Sequence, residues 1–111
     1  MAAGKYNMIV QQGATYAQNV TLKNAAGSAV NIATGSAACQ IKGSYTDIVP
    51  AATFTCGVPV GTDGVITLLL SAAQTSALTI TTGVYDLELY LGGQVYRIMQ
   101  GNVVVLPEVT K

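Results

Sequence analysis

The chain contains no histidine and no tryptophan, one phenylalanine, two cysteines and three prolines in 111 residues. Each shortage excludes something. Without histidine, the commonest general base and the commonest metal ligand are gone. Charged residues make up 9% of the chain, where soluble domains usually carry about a quarter. Five basic residues balance five acidic ones, and the basic ones are scattered from Lys5 to Lys111. They form no patch that would neutralise phosphates, so nucleic acid is not an expected partner. Nor is a membrane: no stretch approaches the ~18 apolar residues that span a bilayer. The richest run, residues 65–73, is broken by Thr67 and Ser71, and the first seven residues lack the apolar core of a secretory signal.

The two cysteines, Cys39 and Cys56, are too few for a zinc site without histidine, so no metal or other cofactor is expected. They read either as free thiols, the default in a reducing cytoplasm, or as a disulfide between neighbouring segments. Asn19-Val-Thr21 matches a glycosylation sequon, a pattern that arises readily by chance in a threonine-rich chain.

Half of the residues are apolar, which excludes disorder. The length suits one domain covering residues 1–111, with no linker and no internal repeat. Period-two alternation recurs along it. Tyr6, Met8 and Val10 share a face, as do Tyr16, Val20 and Leu22, then Cys39 and Ile41, then Phe54 and Cys56, then Ile66, Leu68 and Leu70. Tyr85, Leu87, Leu89 and Leu91 point inward while Asp86, Glu88 and Tyr90 point outward. Residues 24–28, 61–64 and Gly92-Gly93 read as turns, and residues 30–32 as a short extended piece. Gly101 reads as a kink or bulge, and Pro107 ends the last strand. Ser71-Ala-Ala-Gln74 has the form of a capping box, so residues 71–78 are expected to make a short helical turn. Seven or eight short strands separated by turns predict an all-β sandwich.

No enzyme is expected. Asp86 and Glu88 project from one strand face at a spacing that glycosidase carboxylates also use, but such a pair ordinarily keeps a sheet face solvated. The same carboxylates with Asp47 or Asp63 fall short of the six or more oxygens that calcium takes. Lys42 and Ser44, two apart, have the spacing of a Ser–Lys dyad but the composition of ordinary surface. The glycines follow no phosphate-loop or dinucleotide spacing. Among six tyrosines, Tyr6, Tyr16 and Tyr85 are expected inside. Tyr45, Tyr90 and Tyr96 are expected outside, as contacts for a protein partner or a sugar.

Three separated segments resemble a family of small tailed-bacteriophage virion proteins. Gln12-Gly13-Ala14-Thr15 matches its "Q-G-A-T" opening, and residues 64–78 match "G-x-I-T-L-x-L-S-A-x-x-T-x-A-L". Residues 95–111 match an ending of the kind "V-x-R-L-L-Q-G-x-V-x-V-x-P-E-V-T-R", with Lys111 in place of the terminal arginine. Residues 24–60 depart most, lacking the "D-L-T-G-Y" strand opening around Val30 to Gly35. The resemblance implies an immunoglobulin-like, non-enzymatic structural protein of the virion, assembled in the bacterial cytoplasm in many copies. It also implies tail, baseplate and fibre proteins as neighbours. Capsid decoration or a neck position is the structural alternative, and a carbohydrate- or receptor-binding module the alternative of another class. On the virion reading the contact candidates are Tyr45, Tyr90 and Tyr96 with the ending Pro107, Glu108, Val109, Thr110 and Lys111. A surface with so few charges lowers the like-charge penalty of packing copies together, and exposed strand edges offer main-chain hydrogen bonds to neighbours.

Overall fold

Alternation of apolar and polar residues is realised as two β-sheets with one shared core. The computed structural model describes residues 4–59 and 61–108. Among these lie nine strand segments and one short α-helix. They are β1 (Gly4–Lys5), β2 (Met8–Gln11), β3 (Tyr16–Thr21), β4 (Ser36–Lys42), β5 (Ala52–Thr53), β6 (Thr55–Gly57), β7 (Val65–Leu70), α1 (Ala72–Ser76), β8 (Thr82–Leu91) and β9 (Gln94–Leu106). The larger sheet has the order β1-β9-β8-β4-β5, with β2 also paired to β9; the smaller has the order β3-β7-β6. Pairing is antiparallel except that β1 and β2 run parallel to β9.

The expected all-β class and two-layer packing hold. The larger sheet sends Met8, Val10, Cys39, Ile41, Tyr85, Leu87 and Val103 inward, and the smaller sends Ile66, Leu68 and Leu70 to meet them in one buried cluster. Each such side chain removed from water stabilises the fold by roughly 1.5–3 kcal/mol. The strand count exceeds the expected seven or eight because two strands are interrupted. Residues 6 and 7 separate β1 from β2. Phe54 separates β5 from β6, where the chain changes sheets: Thr53 pairs with Gln40 in the larger sheet, Thr55 with Leu69 in the smaller. Phe54 is buried at this corner, its amide donating to the Cys39 carbonyl at 2.9 Å and its ring set edge-on to Tyr16.

Three local expectations are corrected. Tyr6 does not share the inward face of Met8 and Val10; it is 47% exposed. The strand breaks there, and the Asn7 side chain takes a ladder position by accepting from the Asn102 amide, so the alternation does not run through. The bulge in β9 is not at Gly101 either. Leu87 faces Met99 and Glu88 faces Arg97, which leaves Ile98 as the extra residue and buries Ile98 and Met99 in succession. Residues 30–32 form no strand: the extended pairing there is a single bridge between Lys23 and Ala29. The turns at Gly92-Gly93 and the capping box hold. Both glycines have positive φ, 60° and 78°, as a two-residue hairpin loop requires. Ser71 Oγ accepts from the Gln74 amide while Gln74 Oε1 accepts from the Ser71 amide. Gln74 Nε2 also donates to the Thr53 carbonyl, tying α1 to the sheet-changing corner.

Candidate functional site

One end of the sandwich gathers residues from three distant parts of the chain. Thr75, on α1, is fully buried. Its hydroxyl accepts from the Gly13 amide at 3.0 Å and lies 2.9 Å from the Ala14 carbonyl and 3.1 Å from the Ala72 carbonyl, positions that let it donate to either. Gln12 spans the same junction. Its Nε2 donates to the Leu78 carbonyl at 3.0 Å, its Oε1 accepts from the Glu108 amide at 3.1 Å, and its own amide donates to the Leu106 carbonyl. The Glu108 carboxylate lies directly over Gly13, where any side chain would collide with it. The segments that carry the phage resemblance therefore meet in one hydrogen-bonded junction, from which the chain leaves β9 at Pro107. Residue chemistry alone does not single out Gln12 and Thr75, because each is an ordinary polar residue in its own segment. The signal available is that both fall inside the matching segments.

The C-terminal contact candidates divide at this junction. Pro107 is exposed and Glu108 half-buried. Val109, Thr110 and Lys111 lie outside the described residues. Beside the exit, Ile9 faces Val104 across the β2–β9 pairing, and Ile9, Val104 and Leu106 are all exposed. The result is a short apolar strip next to the departing chain.

The tyrosine candidates lie elsewhere and are not brought together at this end. Tyr45, in the loop after β4, is 69% exposed, and Tyr90 is exposed on β8. Tyr45 borders a shallow trough on the outer face of the larger sheet with Gln40, Lys42, Asp86 and Glu88. Tyr96, expected outside, is half-buried and packs against the core. Asp86 lies 3.5 Å from the Arg97 guanidinium, and Glu88 Oε1 accepts from the Tyr90 hydroxyl at 3.4 Å. The Glu88 carboxylate, together with slight desolvation, pushes the Tyr90 phenol above its ordinary range. Ser44 donates to Asp47 Oδ1, so its hydroxyl is committed to its own loop rather than to Lys42. No group of three or more metal-ligating side chains occurs among the described residues. Cys39 and Cys56 are free thiols, and burial pushes both above the usual thiol range, which keeps them protonated at neutral pH.

Two inward tyrosines have a consequence for alkaline solutions. Burial raises Tyr16 to about 12 and moves Tyr85 in the same direction. The fold holds both as neutral phenols, and the Tyr85 hydroxyl donates to the Tyr6 carbonyl at 2.6 Å. The stability they contribute is fully present below the unfolded phenol value of about 10 and is lost as pH rises toward their folded values. Urea denaturation across that window is expected to show a plateau up to about pH 9.5, then a decline that is smaller in Tyr16→Phe. An unchanged midpoint to about pH 11.5 would contradict this.

No protein-family model matches the chain, and no curated protein matches it.

Proposed function

We propose that this chain is a non-enzymatic structural subunit of a tailed-phage particle, a tail or baseplate component that links peripheral parts such as fibres. The observation that carries this reading is the junction of Gln12, Gly13, Thr75 and Glu108. The three segments that carry the resemblance meet there, as parts of one shared architecture would. The junction also holds Glu108 in place at the end of β9, whose last residues lie beside the exposed Ile9, Val104 and Leu106. On this reading, residues 107–111 and that strip form the docking element. An immunoglobulin-like arrangement belongs to the same proposal. Two features support it: the order β3-β7-β6 against β9-β8-β4-β5, and a first strand lying parallel to the last.

The test is the copy number of the protein in purified particles, measured by quantitative mass spectrometry against the major capsid protein. A low count matching tail symmetry is expected. A count near that of the capsid protein would replace the tail position with capsid decoration, and complete absence would overturn the virion role. Removing residues 109–111 takes away none of the residues that make the hydrogen bonds described at the junction, and is expected to abolish incorporation while the monomer stays folded by circular dichroism. Normal incorporation of that variant would remove the docking role of the ending.

A further inference from the structure

The charges of this domain are segregated by sheet. The larger sheet carries Lys5, Lys42, Asp86, Glu88 and Arg97 in its strands, whereas β3, β6 and β7 carry no charged residue. The smaller sheet is also short of a strand on one side. Among the described residues β3 is bonded only to β7, so its other edge is open. Soluble β-proteins guard such edges with lysine, proline, a bulge or extreme shortness. The other edge strands, β1, β2, β5 and β6, are two to four residues long. By contrast β3 is six residues, in unbroken register with β7, and its sequence Tyr-Ala-Gln-Asn-Val-Thr has none of these guards.

The register says which main-chain groups are free. The Leu22 amide donates to the Gly64 carbonyl at 2.8 Å, continuing the β3–β7 ladder. Alternation then directs the groups of Val20, Gln18 and Tyr16 toward β7, and those of Ala17, Asn19 and Thr21 toward the open side. The side chains of these three are exposed and small or polar.

We infer that β3 is the pairing edge of a symmetric dimer, joining antiparallel to β3 of a second copy of this chain. A two-fold axis at Asn19 sets Asn19 against the partner's Asn19, and Ala17 against the partner's Thr21. All three residues then exchange main-chain hydrogen bonds, and the two smaller sheets become one continuous six-stranded sheet. A second copy suits this edge because a strand without charge meets its own image without like-charge opposition. A two-fold axis also closes the pairing at two copies, so the edge is consumed rather than propagated. The inference stands on the edge itself and holds whether or not the chain belongs to a phage particle.

Sedimentation equilibrium of the full chain, over a series from micromolar to millimolar, reads it directly. A monomer–dimer equilibrium is expected. Asn19→Pro removes an outward N–H that has no partner among the described residues, and Asn19→Lys places two lysines across the axis. Each is expected to weaken dimerisation about tenfold or more while leaving the circular dichroism spectrum unchanged. Hydrogen exchange of the unaltered chain gives a readout that needs no variant: protection of the Ala17, Asn19 and Thr21 amides should rise with concentration. A monomer across the whole series, a dimer that survives both substitutions in folded protein, or exchange at these amides that is independent of concentration would each overturn the inference.

Discussion

Gly101→Ala is expected to lower the stability of the domain by about 3 kcal/mol or more. A Cβ at this position would overlap the carbonyl oxygen of Tyr6 and approach the carbonyl carbon to 2.8 Å. Neither atom can give way cheaply. The Tyr6 amide donates to the Gln100 carbonyl, its carbonyl accepts from Tyr85, and Asn7 is fastened to Asn102. The added methyl therefore pries the first strand from the last, exposing Met8 and Val10. Gly92→Ala is the instructive control. Nothing lies within 4 Å of a Cβ there, so its cost is the positive φ alone, about 1 kcal/mol. Urea midpoints of the two variants check the contrast, and equal losses would show that the approach to Tyr6 is not what requires glycine.

Thr75→Val carries the second large expected loss. The shape is retained, but the half-buried Gly13 amide and the Ala14 carbonyl lose their partner, at a cost of about 2 kcal/mol. Thr75→Ser keeps the hydroxyl and is expected to lose about 1 kcal/mol, the worth of a buried methyl. Because Gln12 and Glu108 close the same junction, the valine variant should also accelerate hydrogen exchange at the Glu108 amide. Serine should not. A valine variant as stable as the parent would mean that the hydroxyl contributes nothing net.

Much of this architecture is legible in the sequence, and the legible elements share a cause. The inward set Tyr85, Leu87 and Leu89, the Gly92-Gly93 turn and the Ser71–Gln74 box each depend on residues within a few positions of one another. The corrected elements depend on distant partners. Tyr6 is expected inside because the alternation runs unbroken through it in sequence; the interruption comes from Asn7 reaching Asn102. Gly101 reads as the bulge because glycine is the usual marker of one. The pairing with Leu87 and Glu88 decides instead for Ile98, and the adjacent apolar pair Ile98-Met99 is the local sign of it. The change of sheets at Phe54 has no local signature, since both flanking pieces read as ordinary strand. The candidate site follows the same rule. The motif segments are visible in the sequence, but that Gln12, Thr75 and Glu108 meet is not.

The parallel pairing of β2 with β9 also determines how this domain responds to tension. Because the two strands run the same way, a pull between the chain's ends draws β2 and β9 past each other along their length. The rungs from Met8–Val103 to Gln11–Leu106 then bear the load together. A hairpin pulled from its open end would instead unzip rung by rung. The Gln12 side chain, bonded to both Leu78 and Glu108, adds a further fastening at the end of this ladder where the chain departs.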